Sequence, residues 1–119
     1  MNGKPLKQKP ISPSLKEKRR YVVFEIQSFS PLTLQDTQQF IVAMYRDLFG
    51  MYGLAQAGLQ FLSDWKNQKG IVRVSTKSLH LLQATFVHAQ TFKNSPCFIR
   101  TVGVSGLLNK ARQNYLEVL

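Results

Sequence analysis

Residues 97–104 read Cys-Phe-Ile-Arg-Thr-Val-Gly-Val. At the two-residue period of a strand, Phe98, Val102 and Val104 fall on one face and Cys97 and Ile99 on the other. Only Arg100 is charged. A strand that is apolar on both faces must be covered on both, so this one is expected at the centre of a sheet with packing on each side. Arg100 has to find an acid, a carbonyl or a phosphate, because a bare buried charge is prohibitive. Glu25 across the sheet and a nucleic-acid phosphate are the two partners open to it.

The other elements follow in a fixed order. In residues 21–28, Val22, Phe24 and Ile26 alternate with Tyr21, Val23 and Glu25, which is a strand whose second face is partly apolar. Thr33 is suited to cap a helix over 34–49, with Asp36 three residues on and Ile41, Met44, Tyr45 and Leu48 at helical spacing. Gly50 should stop it. Residues 51–58 then read as a glycine-spaced connector in which Met51, Tyr52 and Leu54 are unusually apolar. They either pack beneath the sheet or contact another subunit. Residues 59–65 and 71–75 are strands joined by a hairpin over 66–70. Trp65, at its rim, reads as strand-end packing or as a base platform. Thr76 or Ser78 caps a second helix carrying Leu79, Leu82, Phe86, Ala89 and Phe92 on one face. A turn at 94–96 leads into the strand over 97–104, and a last helix runs from about 107 to 116.

This order is β-α-β-β-α-β plus a helix. It specifies an α+β fold of the split βαβ, ferredoxin-like kind: a four-stranded antiparallel sheet with two helices on one face. The terminal helix is then free to cover part of the other face, which accounts for Tyr21 and Val23 there.

A chain of 119 residues is one domain. Residues 1–15 read as a flexible basic arm broken by Pro5, Pro10 and Pro13, and residues 16–119 as the domain. Sixteen Lys and Arg against six Asp and Glu give a net charge of +10. Such an imbalance speaks of partners, with nucleic acid first and an anionic membrane surface second. Residues 1–20 alone hold seven basic residues and one acid, so more than half of the excess lies on one-sixth of the chain.

Catalytic chemistry finds little support. One cysteine, Cys97, forbids an intrachain disulfide, and with His80 and His88 it cannot complete a four-ligand zinc site. The two histidines lie ~12 Å apart along one helix. The acids are scattered, without a pair spaced to hold Mg²⁺. Gly103-Val-Ser-Gly106 lacks the spacing of a phosphate-binding P-loop, although Ser105 and the amides beyond it suit either an anion perch or a tight turn. An acylphosphatase-like hydrolase needs a glycine-rich loop with an arginine after the first strand. Here that loop is Phe29-Ser-Pro-Leu-Thr33. No apolar run approaches the ~18 residues of a membrane span, and the basic, polar start has no signal-peptide core, so an intracellular, cytoplasmic protein is expected. Aromatic stacking on the sheet, as in RNA-recognition domains, has only Tyr21 on the first strand and no aromatic on the third. Phosphate contacts from Lys and Arg remain.

Three blocks carry a family resemblance. Leu15-Lys-Glu-Lys-Arg-Arg-Tyr-Val-Val-Phe-Glu-Ile26, Gly70-Ile-Val-Arg-Val74 and above all Cys97-Phe-Ile-Arg-Thr-Val-Gly-Val-Ser-Gly106 resemble the archaeal ribonuclease P protein component 2 family and its eukaryotic relatives. The resemblance spans roughly residues 15–116. It implies an α-β sandwich akin to RNA-recognition domains, in a ribonucleoprotein that removes the 5′ leader of precursor tRNA. The RNA subunit would carry the chemistry with Mg²⁺, and this chain would hold no cofactor and no catalytic residue. Its partners would be ribonuclease P RNA, precursor tRNA indirectly, and protein component 3, with which it favours the active RNA conformation. A dimer of such pairs, a homodimer within a heterotetramer, is expected, and no membrane. The candidate RNA contacts are Lys16, Lys18, Arg19, Arg20, Arg73, Arg100, Lys110 and Arg112; the candidate protein contacts are Met51, Tyr52 and Leu54. A stand-alone RNA-binding or ribosomal-type protein of the same fold is the alternative.

Overall fold

The computed structural model describes residues 18–116, so Lys16 and the arm over 1–15 lie outside the described residues. The elements are β1 (Arg19–Ser28), α1 (Leu34–Ala57), β2 (Gln60–Lys66), β3 (Lys69–Ser75), a 3-10 turn (Thr76–Ser78), α2 (Leu79–His88), β4 (Thr91–Phe92), β5 (Ser95–Ser105) and α3 (Leu108–Ala111). A π-helical turn (Arg112–Leu116) prolongs α3. The sheet is antiparallel throughout, in the order β2-β3-β1-β5-β4.

β1 is the middle strand, and Val22, Val23, Phe24 and Ile26 are fully buried. The strand expected at the centre, β5, has β1 along one edge but only the two-residue β4 on the other, at Ser95 and Pro96. Its apolarity on both faces comes from the layers above and below it, not from neighbours on either side. The strict alternation of its faces also fails. Val23 pairs with Gly103 and Phe24 with Thr101, so Val102 is an extra, bulged residue. The bulge turns Val104 round to oppose Val22 in the helix-side core, away from Val102.

On one face, α1 and α2 close a core built on Phe24, Ile41, Tyr45, Leu82 and Phe86. On the other, α3 and its π-helical turn lay Ala111 and Leu116 over Val23 and Ile71, with Tyr21, Leu62, Val102 and Tyr115 around them. The terminal helix therefore does cover Tyr21 and Val23, and the sheet is a filling between two unequal layers.

Local chemistry sets the boundaries. The Thr33 hydroxyl accepts from the Asp36 amide at 3.0 Å, capping α1 as the sequence implies. Gly50 breaks the helix with φ 78° and ψ 171°, but the chain re-enters helix at once and continues to a left-handed cap at Gly58. Residues 51–57 are thus helix rather than a connector, because Leu54 and Ala57 gain core contacts by it. α2 stops at His88, short of the Phe92 that its spacing suggests. Phe92 instead sits in β4, its ring 5.0 Å from that of Phe40. The β2–β3 turn is the two-residue kind, with φ of 54° at Asn67 and 63° at Gln68. The Gln68 amide donates to the Leu32 carbonyl and accepts from the Leu32 amide, both at 2.9 Å, fastening the hairpin to the loop before α1.

Gly103 is explained by what lies on it. A Cβ there would come within 2.3 Å of the Tyr115 ring. Gly103→Ala should therefore push the ring off the sheet and cost about 1–3 kcal/mol of stability by overpacking. Urea denaturation measures the loss, and hydrogen exchange should show residues 108–116 deprotected first. A variant as stable as its parent would refute this seating of the helix.

Candidate nucleic-acid interface

Register, more than sequence proximity, assembles the basic surface. β1 enters the sheet as Lys18-Arg19-Arg20, and antiparallel pairing brings the far end of β3 beside it. Arg19 opposes Ser75, Arg20 opposes Val74 and Tyr21 opposes Arg73. The Thr76 amide donates to the Lys18 carbonyl at 2.8 Å, so Lys77 joins the same end. Lys18, Arg19 and Lys77 are exposed, and Arg20 and Arg73 half-buried. Lys77 escapes a sequence reading because it stands alone between a strand and a helix, and only strand pairing carries it to the cluster.

Arg19 and Arg20 leave β1 on opposite faces, as strand periodicity requires. Arg20 turns toward Gly106, where a Cβ would lie 3.6 Å from Nη1, and that nitrogen donates to the Arg19 carbonyl at 3.1 Å. Arg73 donates through Nη2 to the Gln60 side chain on the neighbouring strand β2. The described acids are elsewhere. Asp36 and Asp47 lie on α1, and Glu25 and Asp64 are each held by an arginine.

Two ion pairs show where two of the candidates sit. Arg100 faces Glu25 across the β1–β5 pairing, with Nε donating to Oε1 at 2.7 Å and the Arg100 side chain still 51% exposed. Its structural partner is the acid, and about half of the side chain stays open to solvent. Arg112 grips Asp64 of β2 through two bonds, Nε to Oδ2 at 2.9 Å and Nη2 to Oδ1 at 3.0 Å. This bidentate pair ties the terminal helix to the sheet. Lys110, two residues earlier, is exposed.

The candidate protein contacts divide. Leu54 turns inward onto the core, whereas Met51 is 68% exposed and Tyr52 77%, with Leu48 beside them on the outer side of α1. His80 and His88 are both exposed on α2. Cys97 is buried in β5, and burial pushes its thiol above the usual range, which keeps it protonated at neutral pH. Ser105 makes the tight turn, its hydroxyl accepting from the Leu107 amide at 3.0 Å. Among the described residues, no three of His, Cys, Asp and Glu gather where they could hold a metal ion, and no helix is long and apolar enough to cross a membrane.

Comparison with known proteins narrows what such a surface belongs to. Ribonuclease P protein component 2 of Methanococcus vannielii is 33% identical over 110 residues, covering 92% of this chain and 84% of that protein. The protein of the same name from Pyrococcus abyssi is 31% identical over 113 residues, covering 94% and 96%. A chain in the cryo-EM structure of yeast ribonuclease MRP shares the fold with a TM-score of 0.64 at 12% identity, over 82% of this chain and 86% of that one. The RNase P family model described as Rpp14/Pop5 matches residues 20–116, from the basic start of β1 to the end of the helix that Arg112 and Tyr115 hold down, and the chain therefore belongs to the Rpp14/Pop5 family.

Proposed function

We propose that this chain is the protein component 2 subunit of ribonuclease P, the ribonucleoprotein that removes the 5′ leader of precursor tRNA. The observation that carries the reading is the basic end of the sheet, which holds no acid among the described residues, in a chain of +10 net charge that belongs to this family. Lys18, Arg19, Arg20, Arg73 and Lys77 neutralise phosphates where strands of the RNA come close, lowering the repulsion that opposes its compact, active conformation. Exposed Lys110 and, at the other end of the sheet, the open part of Arg100 add further positive charge. Lys16 stands just before this cluster in the sequence.

The phosphodiester chemistry is assigned to the RNA and its Mg²⁺. The acids nearest the sheet, Glu25 and Asp64, already have arginine partners, and this chain supplies positive charge instead of ligands. Precursor tRNA is met indirectly, through the RNA. Protein component 3 is the protein partner, and the apolar outer side of α1 at Leu48, Met51 and Tyr52 suits a protein contact, including the homodimer within a heterotetramer. The cytoplasm is the matching compartment.

Reconstitution tests this. The RNA subunit, protein component 3 and Mg²⁺ should cleave precursor tRNA markedly faster with this chain than without it, and the chain alone should cleave nothing. RNA-free, Mg²⁺-dependent cleavage by rigorously purified protein would overturn the assignment. RNA binding with no effect on reconstituted cleavage would point to a stand-alone RNA-binding protein.

A further inference from the structure

Among the described residues, the terminal helix covers the half of its face near Tyr21 and Val23. Beyond it, the pairing lays two rows of side chains across open sheet. The first row runs Lys66, Lys69, Glu25, Arg100 from β2 to β5, three cations against one acid. The second pairs Gln27 with Phe98. Gln27 is exposed and the Phe98 ring is 47% exposed, on a strand where Cys97 and Ile99 are buried and Val102 and Val104 half-buried. A groove of about 260 Å³ runs beside it, lined by Gln27, Ser28, Pro96, Cys97 and Phe98. A second groove of about 440 Å³ shares Gln27 and Ser28 and is flanked by Phe29, which is 87% exposed.

An aromatic ring standing in the open beside an amide and a cationic row is chemistry for one kind of occupant. We infer that Phe98 is a stacking platform for an unpaired base of single-stranded RNA, with Gln27 beside the base edge and Lys66, Lys69 and Arg100 beside the flanking phosphates. A base has a π-face for the ring and polar edges for the amide, and its backbone carries the negative charge that the row lacks. An apolar protein partner would leave that row buried without enough acids to match it. The positions where an RNA-recognition sheet usually stacks bases are unsuited here, since Tyr21 is beneath the terminal helix and β3 carries no aromatic. The platform has moved one strand over, to β5. This inference rests on the reading of the chain as an RNA-binding subunit, and it adds a base contact to the phosphate contacts at the other end of the sheet.

The test uses the full chain, a short oligouridylate and an abasic ribose-phosphate oligomer of equal length and charge. The wild type should prefer the oligouridylate. Phe98→Ala should weaken oligouridylate binding roughly tenfold, leave the abasic oligomer unaffected and leave the salt dependence unchanged, because no phosphate contact is removed. Phe98→Tyr should restore the preference. The ring is half-exposed and its removal should leave the fold intact, which circular dichroism checks. Equal binding of both oligomers by the wild type, or no effect of Phe98→Ala, would overturn the platform and leave phosphate binding standing. Unchanged RNA affinity with loss of a protein from the reconstituted assembly would make Phe98 a protein contact. If the wild type binds neither oligomer, the RNA-binding reading falls with it.

Discussion

Phe24→Ala is expected to remove about 3–5 kcal/mol of folding free energy. Phe24 is fully buried in the middle strand. Its ring meets Phe61 edge-on at 6.0 Å, Trp65 at 6.2 Å and Phe86 at 5.7 Å. It thereby joins β2 and α2 through one side chain. Gly70, directly opposite on β3, gives it room: a Cβ there would lie 3.0 Å from both the Phe24 and Trp65 rings. Truncation leaves a cavity bounded by sheet and helix that cannot collapse without moving both. Domains of this size are stable by only about 5–15 kcal/mol, so the variant should sit close to unfolding at moderate temperature. Urea denaturation with an unchanged slope would show the midpoint falling steeply. A loss below about 1 kcal/mol would mean that the neighbouring rings close the gap. The contrast with Phe98 on the same sheet is instructive, because its half-exposed ring can be removed with little cost to the fold.

Where periodicity is long and uninterrupted, the sequence is sufficient. β1, the first four turns of α1, the β2–β3 hairpin and the terminal layer over Tyr21 and Val23 all follow from spacing and turn chemistry. Lateral order does not. Apolarity on both faces tells that a strand is covered, not that it has neighbours, so β5 looks central although β1 is. The bulge at Val102 is invisible to a period-two reading, which cannot register one inserted residue. Beyond Gly50 the helix resumes because Leu54 and Ala57 have a core to meet, a tertiary reason that residues 51–58 do not carry locally. α2 ends at His88 with neither Gly nor Pro to mark it, while Ala89 and Phe92 still pack inward and mimic helical spacing.

The site divides on the same principle. Lys18, Arg19 and Arg20 are legible because they are contiguous. Lys77, Lys66 and Lys69 join the basic surfaces only through strand pairing. Arg100 and Arg112 look like phosphate ligands by charge, yet each meets an acid, 75 and 48 residues away respectively. The family block from Arg100 to Gly106 gains a physical reading from the structure. Arg100 answers Glu25, Thr101 opposes Phe24, Val102 is the bulge, Gly103 seats Tyr115, Val104 enters the core, and Ser105 closes the turn.

Replacing Lys18, Arg19 and Arg20 together by Ala should flatten the salt dependence of RNA binding by roughly 2 log–log units, at about 0.7 per phosphate released on a single strand. Arg19 and Arg20 point to opposite faces of β1 and Lys18 precedes them, an arrangement suited to separate phosphates and not to a shared one. Among the described residues no acid offsets their field, because those acids lie on α1 or are already paired. Phosphates carry little sequence information, so the loss should be similar for RNAs of the same shape. The fold should survive: none of the three is buried, and β1 is anchored from Val22 onward. Far-UV circular dichroism should therefore match the wild type. The reconstituted enzyme should need more Mg²⁺ to reach the same rate, since metal ions would take over part of the screening. An unaltered salt slope with the fold intact would move the phosphate surface to the opposite end of the sheet, where Lys66, Lys69 and Arg100 run across the sheet next to the Gln27–Phe98 row. Charge removal there would then flatten the slope instead.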